Sequence, residues 1–175
     1  MAIAVTIETT VARPPAEVFA HIADIDAWPS WLIASGIVRV QRATEGPLAE
    51  GDHVTVEQRA AGRAGTFEAQ VTALEAPTRL ALHGRDGDGV SIDIDAALAP
   101  DNDGDGDSTG IGDNTGIGDS TGTGDRTGTA LRWSIRIGLP LRYRMFESMA
   151  RPQVERAAAL DIEALRRRLE STPGD

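Results

Sequence analysis

The 175-residue chain has no cysteine and no lysine, and only seven aromatic residues: three Trp, three Phe and one Tyr. Without Cys there is no disulfide framework, no thiolate nucleophile and no zinc finger. All 17 basic residues are Arg against 27 acids, a formal charge of -10. Phosphate binding needs clustered positive charge, so a nucleic-acid partner is not expected. No apolar run approaches the roughly 20 residues of a membrane span, so no stable membrane anchor is expected. The start, MAIAVTIETTVARPP, has neither a basic segment nor a long apolar one, which reads as no secretory signal and a cytoplasmic location.

Residues 101–129 carry an unusual composition. From Gly106 a six-residue unit recurs four times: GDSTGI, GDNTGI, GDSTGT, GDRTGT. Seven Asp and one Arg contribute -6 of the total -10, so -4 is left for everything else. Two of the units match G-x-S-x-G, but a nucleophile elbow needs a strand before the Ser and a helix after it. Asp101, Asp103, Asp105 and Gly106 match the opening of a calcium loop, yet its twelfth position would be Gly112 rather than a bidentate Glu. The segment reads as a solvated insert, 101–127, in a single domain spanning 1–175. Its replacement by a four-residue turn is expected to keep or raise stability.

Outside the insert the pattern is clear. Ile3, Val5 and Ile7 alternate with polar or small residues, as in a strand. Residues 14–24 read as a helix opened by prolines, and DAWPSWLIAS as a short second one. Further strands are expected at 36–43, 52–60, 65–74, 78–85, 89–98 and 129–138, separated mostly by Gly or Pro. Asp93 and Asp95 would share the outer face with Arg132 and Arg136 and could pair across it. Val154, Ala158, Ile162, Leu165 and Leu169 form one stripe of a C-terminal helix. Pro152 either starts that helix or lies within a longer one from about Leu141. Short, turn-linked strands argue for an antiparallel sheet, and the long helix must bury its stripe on the sheet's apolar face.

Four stretches add specificity: Val11–Phe19 (VARPPAEVF), Asp24–Trp31 (DIDAWPSW), Val71–Leu80 (VTALEAPTRL) and Gly128–Trp133 (GTALRW). In this order they resemble the SRPBCC, or START-like, superfamily, within it the polyketide cyclase/dehydrase and lipid-transport group. The resemblance covers about residues 3–98 and 128–171. It implies an α+β helix-grip fold: a curved antiparallel sheet of about seven strands around a long C-terminal helix, with two short helices after the first strand. It also implies an apolar cavity between sheet and helix that binds a hydrophobic small molecule, such as a polyketide, lipid or quinone-like compound. Some such proteins are cyclases or dehydratases and others only bind or carry. No cofactor is implied.

Strand phase puts Val5, Ile7, Val38, Val40, Val54, Val56, Phe67, Ala69, Leu80, Leu82, Ile92, Ile94, Leu131, Trp133 and Ile135 on the cavity face. This set holds no acid, base or amide, whereas acid–base catalysis needs a titratable group within reach of the substrate. Binding is therefore favoured over an enzyme of the cyclase or dehydratase type. Asp161, at the edge of the helix stripe, is the one catalytic candidate, since a carboxyl facing an apolar cavity has a raised pKa. The alternative is that it reaches water at the helix flank. Trp28 and Trp31 would close one end of the grip, as mouth lining or as a plug. Tyr143, Phe146 and Met149 could form the other side of the entrance. The expected ligand-contacting set is Trp28, Trp31, Val54, Val56, Phe67, Leu80, Leu82, Leu131, Trp133, Phe146, Ile162 and Leu165. His21, His53 and His83 lie about 30 residues apart without a ligand pair, so no metal site is expected. A homodimer is left open.

Overall fold

The computed structural model describes residues 2–60, 63–101 and 128–171. The 101–127 insert, apart from Asp101, lies outside the described residues, and so do the readings made of it.

Seven strands form one antiparallel sheet: β1 (Ala2–Val11), β2 (Ile37–Arg42), β3 (His53–Ala60), β4 (Arg63–Glu75), β5 (Arg79–Asp86), β6 (Ser91–Asp101) and β7 (Gly128–Gly138). Their order is β1-β7-β6-β5-β4-β3-β2. Consecutive strands from β2 to β7 are neighbours, as turn-linked alternating strands should be. β1 instead pairs with β7, Val5 opposite Ile135 and Ile7 opposite Trp133. Because β1 and β2 occupy opposite edges, the chain between them must cross the whole sheet. It does so through α1 (Pro15–Ala23) and a 3-10 helix, Ile25–Ser30, that contains Pro29. α1 begins with prolines, whose fixed φ suits a helix start. It buries Val18, Phe19 and Ile22.

A second 3-10 segment, Leu141–Phe146, leads into α2 (Glu147–Ser171), and Pro152 lies inside α2 rather than at its start. Ala158, Asp161, Ile162 and Leu165 are its buried residues, with Val154 and Leu169 packed at the margin. The end of α2 is fastened to the β1–α1 connection and to the 3-10 helix Ile25–Ser30. Arg13 Nε donates to the Leu169 carbonyl at 3.0 Å, and Arg168 donates to Ser30 Oγ at 2.6 Å. Thr129, fully buried, donates to the Arg13 carbonyl at 2.6 Å. Sheet, crossing helices and α2 are the expected helix grip.

Two expectations are corrected here. Val38 is 53% exposed and does not face the core. The β2–β3 register shifts between Ile37 and Arg39, and such a bulge reverses side-chain phase, so Ile37 takes the inner place. Asp93 and Asp95 do share the outer face with β7, Asp93 standing opposite Arg136. Their partners, however, are on β5: Asp95 takes an ion pair with Arg79 at 2.7 Å, and Asp93 a hydrogen bond with His83 Nδ1 at 2.6 Å. Arg132 instead faces Glu8 at 3.7 Å.

Candidate functional site

The concave face of the sheet is packed at one end. There Trp28, Trp31 and Trp133, each 1% exposed, meet edge to face with ring centroids 5.6 to 6.3 Å apart. Such contacts add about 0.5–1.5 kcal/mol per pair beyond burial. Trp28 Nε1 donates to the Ile22 carbonyl at 2.8 Å, which fixes that ring.

Beyond the tryptophans the face is hollow. A cavity of about 360 Å³ lies between the sheet and α2. Its sheet wall comes from Val56, Phe67, Ala69, Leu82, Gly84, Ile92, Ile94, Ile135 and Ile137. Cross-strand register explains the row: Ala69 pairs with Gly84, Leu82 with Ile94, and Ile94 with Ile135. α2 contributes Ala150, Gln153, Val154 and Ala157, at helical spacing on one side. Trp28 and Trp133 close the inner end. Gly84 is required by close approach, because a Cβ there would stand 2.9 Å from Ala69 Cβ and 3.1 Å from the Glu68 carbonyl. Small residues on the sheet (Ala69, Gly84) and on the helix (Ala150, Ala157) therefore leave the space that large ones would fill.

The loop Ile33–Gly36 crosses the rim and lines the cavity. It is held from both sides. Asp161 on α2, 1% exposed, accepts the Ala34 N–H at 2.7 Å and the Ser35 N–H at 2.9 Å. From β3, Gln58 Nε2 donates to the Ser35 carbonyl at 2.8 Å and Arg59 N–H to the Gly36 carbonyl at 2.7 Å. Burial pushes the Asp161 carboxyl above its ordinary value of 3.8, against the opposing pull of its bonds from Ser35 and Ala34.

Of the sequence-derived ligand set, Trp28, Val56, Phe67, Leu82 and Trp133 line the cavity. Trp31, Val54, Leu80, Leu131, Ile162 and Leu165 are buried in the packed core instead. Phe146 is 47% exposed and stands outside it. Asp161 is not a lining residue: it neither faces the cavity nor reaches water at the flank, but caps the rim loop. The expectation of a wall free of amide and base also needs correcting. Ser35, Gln58, Arg59 and Gln153 are among the lining residues. The alternation Val54, Val56, Gln58 on β3 carried the signal for Gln58. Among the described residues no cluster of His, Asp or Glu could hold a metal ion. No described helix is long and apolar enough to cross a membrane.

Solved structures with this architecture include a START superfamily protein from Mycobacterium smegmatis (TM-score 0.67, 13% identity, covering 95% of this chain and 97% of that one). Others are TTHA0849 from Thermus thermophilus (0.66, 11%, 98% and 99%) and SA2116, a protein of unknown function from Staphylococcus aureus (0.65, 12%, 98% and 95%). At these identities the likeness concerns the fold. No curated protein matches the sequence. The sequence itself matches the polyketide cyclase/dehydrase and lipid transport family over residues 2–170, and the chain belongs to that family.

Proposed function

We propose that this protein binds or carries a hydrophobic small molecule, of polyketide, lipid or quinone-like type, in the cavity between the sheet and α2. The observation that carries this is the cavity itself: about 360 Å³, walled by Val, Ile, Leu, Phe and Trp side chains. The size lies within the range of small-molecule sites, roughly 300–1,000 Å³. Apolar wall that an occupant covers is removed from water, which is favourable by about 25 cal/mol per Å², so an apolar occupant is favoured. Exposed Ile33 and Gln153 on the rim give it a way in.

Binding is favoured over catalysis by the chemistry of the wall. The one residue of ionisable type among its described lining residues is Arg59, and a guanidinium does not exchange protons near neutral pH. Asp161 is occupied as a loop cap. The cytoplasmic location and the reading of 1–175 as a single domain with an insert belong to the same proposal.

A native mass spectrum of the protein purified from its own host tests the reading. A retained mass of a few hundred daltons, lost in Ala157→Phe, is expected. Protein that is empty, and stays empty when apolar ligands are added, would overturn it.

A further inference from the structure

The cavity does not end at its mouth. A surface groove of about 410 Å³, lined by Ala34 and by Met149, Gln153, Arg156, Ala157 and Leu160 of α2, adjoins it. Ala34, Gln153 and Ala157 line both spaces and form the sill between them. Helix geometry makes this so. Ala150, Gln153, Val154 and Ala157 form the inward stripe of α2, and Met149, Gln153, Arg156 and Leu160 form the stripe beside it. Met149 and Leu160 are 60% and 52% exposed, a large apolar surface continuous with the rim.

The charge along this path is one-sided. The chain carries -10 overall, yet neither the cavity nor the groove is lined by a single Asp or Glu among the described residues. The charged lining residues are Arg59 in the cavity and Arg156 in the groove. Other arginines of α2 are engaged: Arg151 with Glu155, and Arg166 and Arg167 with Glu163. Arg156 has no ionic partner among the described residues.

We infer that the groove is a headgroup subsite, and that the ligand is an amphipathic acid: an apolar body in the cavity and one carboxylate over the Arg156 guanidinium. This rests on the cavity-binding reading and adds the chemical class. A guanidinium matches a carboxylate with two parallel N–H···O bonds. Gln153 lines both spaces, and its amide is a donor of the kind such a head takes.

The test uses ω-bromododecanoic acid and ω-bromododecanol at neutral pH. Trp28 and Trp133 close the inner end of the cavity, so a bromine on the buried tail quenches their emission and reports binding. In the wild type the acid is expected to bind about tenfold or more tighter than the alcohol, as a charge-assisted hydrogen bond is lost in the latter. In Arg156→Gln the ratio should fall to near one, and in Arg156→Lys it should partly return. Arg156 is exposed, so the variants should keep their thermal midpoints, which checks folding. Equal binding of acid and alcohol, or a ratio unchanged in Arg156→Gln, overturns the headgroup assignment while leaving the cavity reading intact. A ratio abolished by Arg59→Gln but not by Arg156→Gln also overturns it. Absence of quenching by either probe overturns both readings.

Discussion

Around Leu80, Leu131 and Leu165 the concave face of the sheet is filled, whereas around Phe67, Leu82 and Ile94 it is hollow. The same sheet and the same helix make both halves. What differs is side-chain volume at facing positions. In the filled half three Trp rings meet one another and α2 inserts Ile162 and Leu165. In the hollow half Ala69 and Gly84 on the sheet face Ala150 and Ala157 on the helix. Small residues on both walls at once leave a space that no side chain reaches across. The filled half supplies stability, and the hollow half supplies room.

The difference can be broken from either side. Leu165→Ala in the filled half should cost about 4 kcal/mol, and Ile94→Ala on the cavity wall about 2 kcal/mol, because a side chain already facing a void leaves less new cavity. Chemical denaturation of both variants reads the difference, and equal losses would count against the two-half description. Gly84→Val should cost about 1–3 kcal/mol by overpacking against Ala69, and it should lower ligand capacity as well, as titration would show.

Asp161 gives a pH-dependent prediction. Its carboxyl is held above its ordinary value chiefly by burial. The folded state therefore keeps a proton that the unfolded chain releases from about pH 4 upward, and stability through this group falls as pH rises through the raised value. Asp161→Asn should flatten that part of the stability–pH profile. It should also destabilise at neutral pH by about 1–3 kcal/mol, since an amide nitrogen or a single oxygen cannot accept both loop N–H groups. Thermal midpoints across pH 3 to 8 check both points. The smallest stability change is expected for Ala157→Phe. It fills the hollow half, so stability should move by less than about 1 kcal/mol while binding is lost.

The contrast also explains how much was legible in the sequence. Period-two alternation and turn residues located all seven strands, and apolar residues three and four apart located the inward stripe of α2, because burial on one face imposes those patterns. Phase told which side chains face inward. It could not tell filled from hollow, since Leu80 and Leu82 share one phase on β5 and only Leu82 lines the cavity. That distinction depends on what stands opposite, across the interior. Val38 was misplaced by a bulge that leaves no mark in the hydrophobic pattern. Asp161, at the edge of the helix stripe, could be read as a cavity acid or as a flank residue in water, and neither reading could include the loop N–H groups that occupy it, which come from more than 120 residues away.

The central claim is tested most directly by a crystal of the protein under xenon pressure, since xenon enters dry apolar cavities and leaves packed cores alone. Xenon is expected among Phe67, Leu82, Ile94 and Ile135, or to be excluded there by a retained ligand seen in the density, with none around Leu80, Leu131 and Leu165. A hollow half closed by its own side chains, taking up neither xenon nor ligand, would contradict the account.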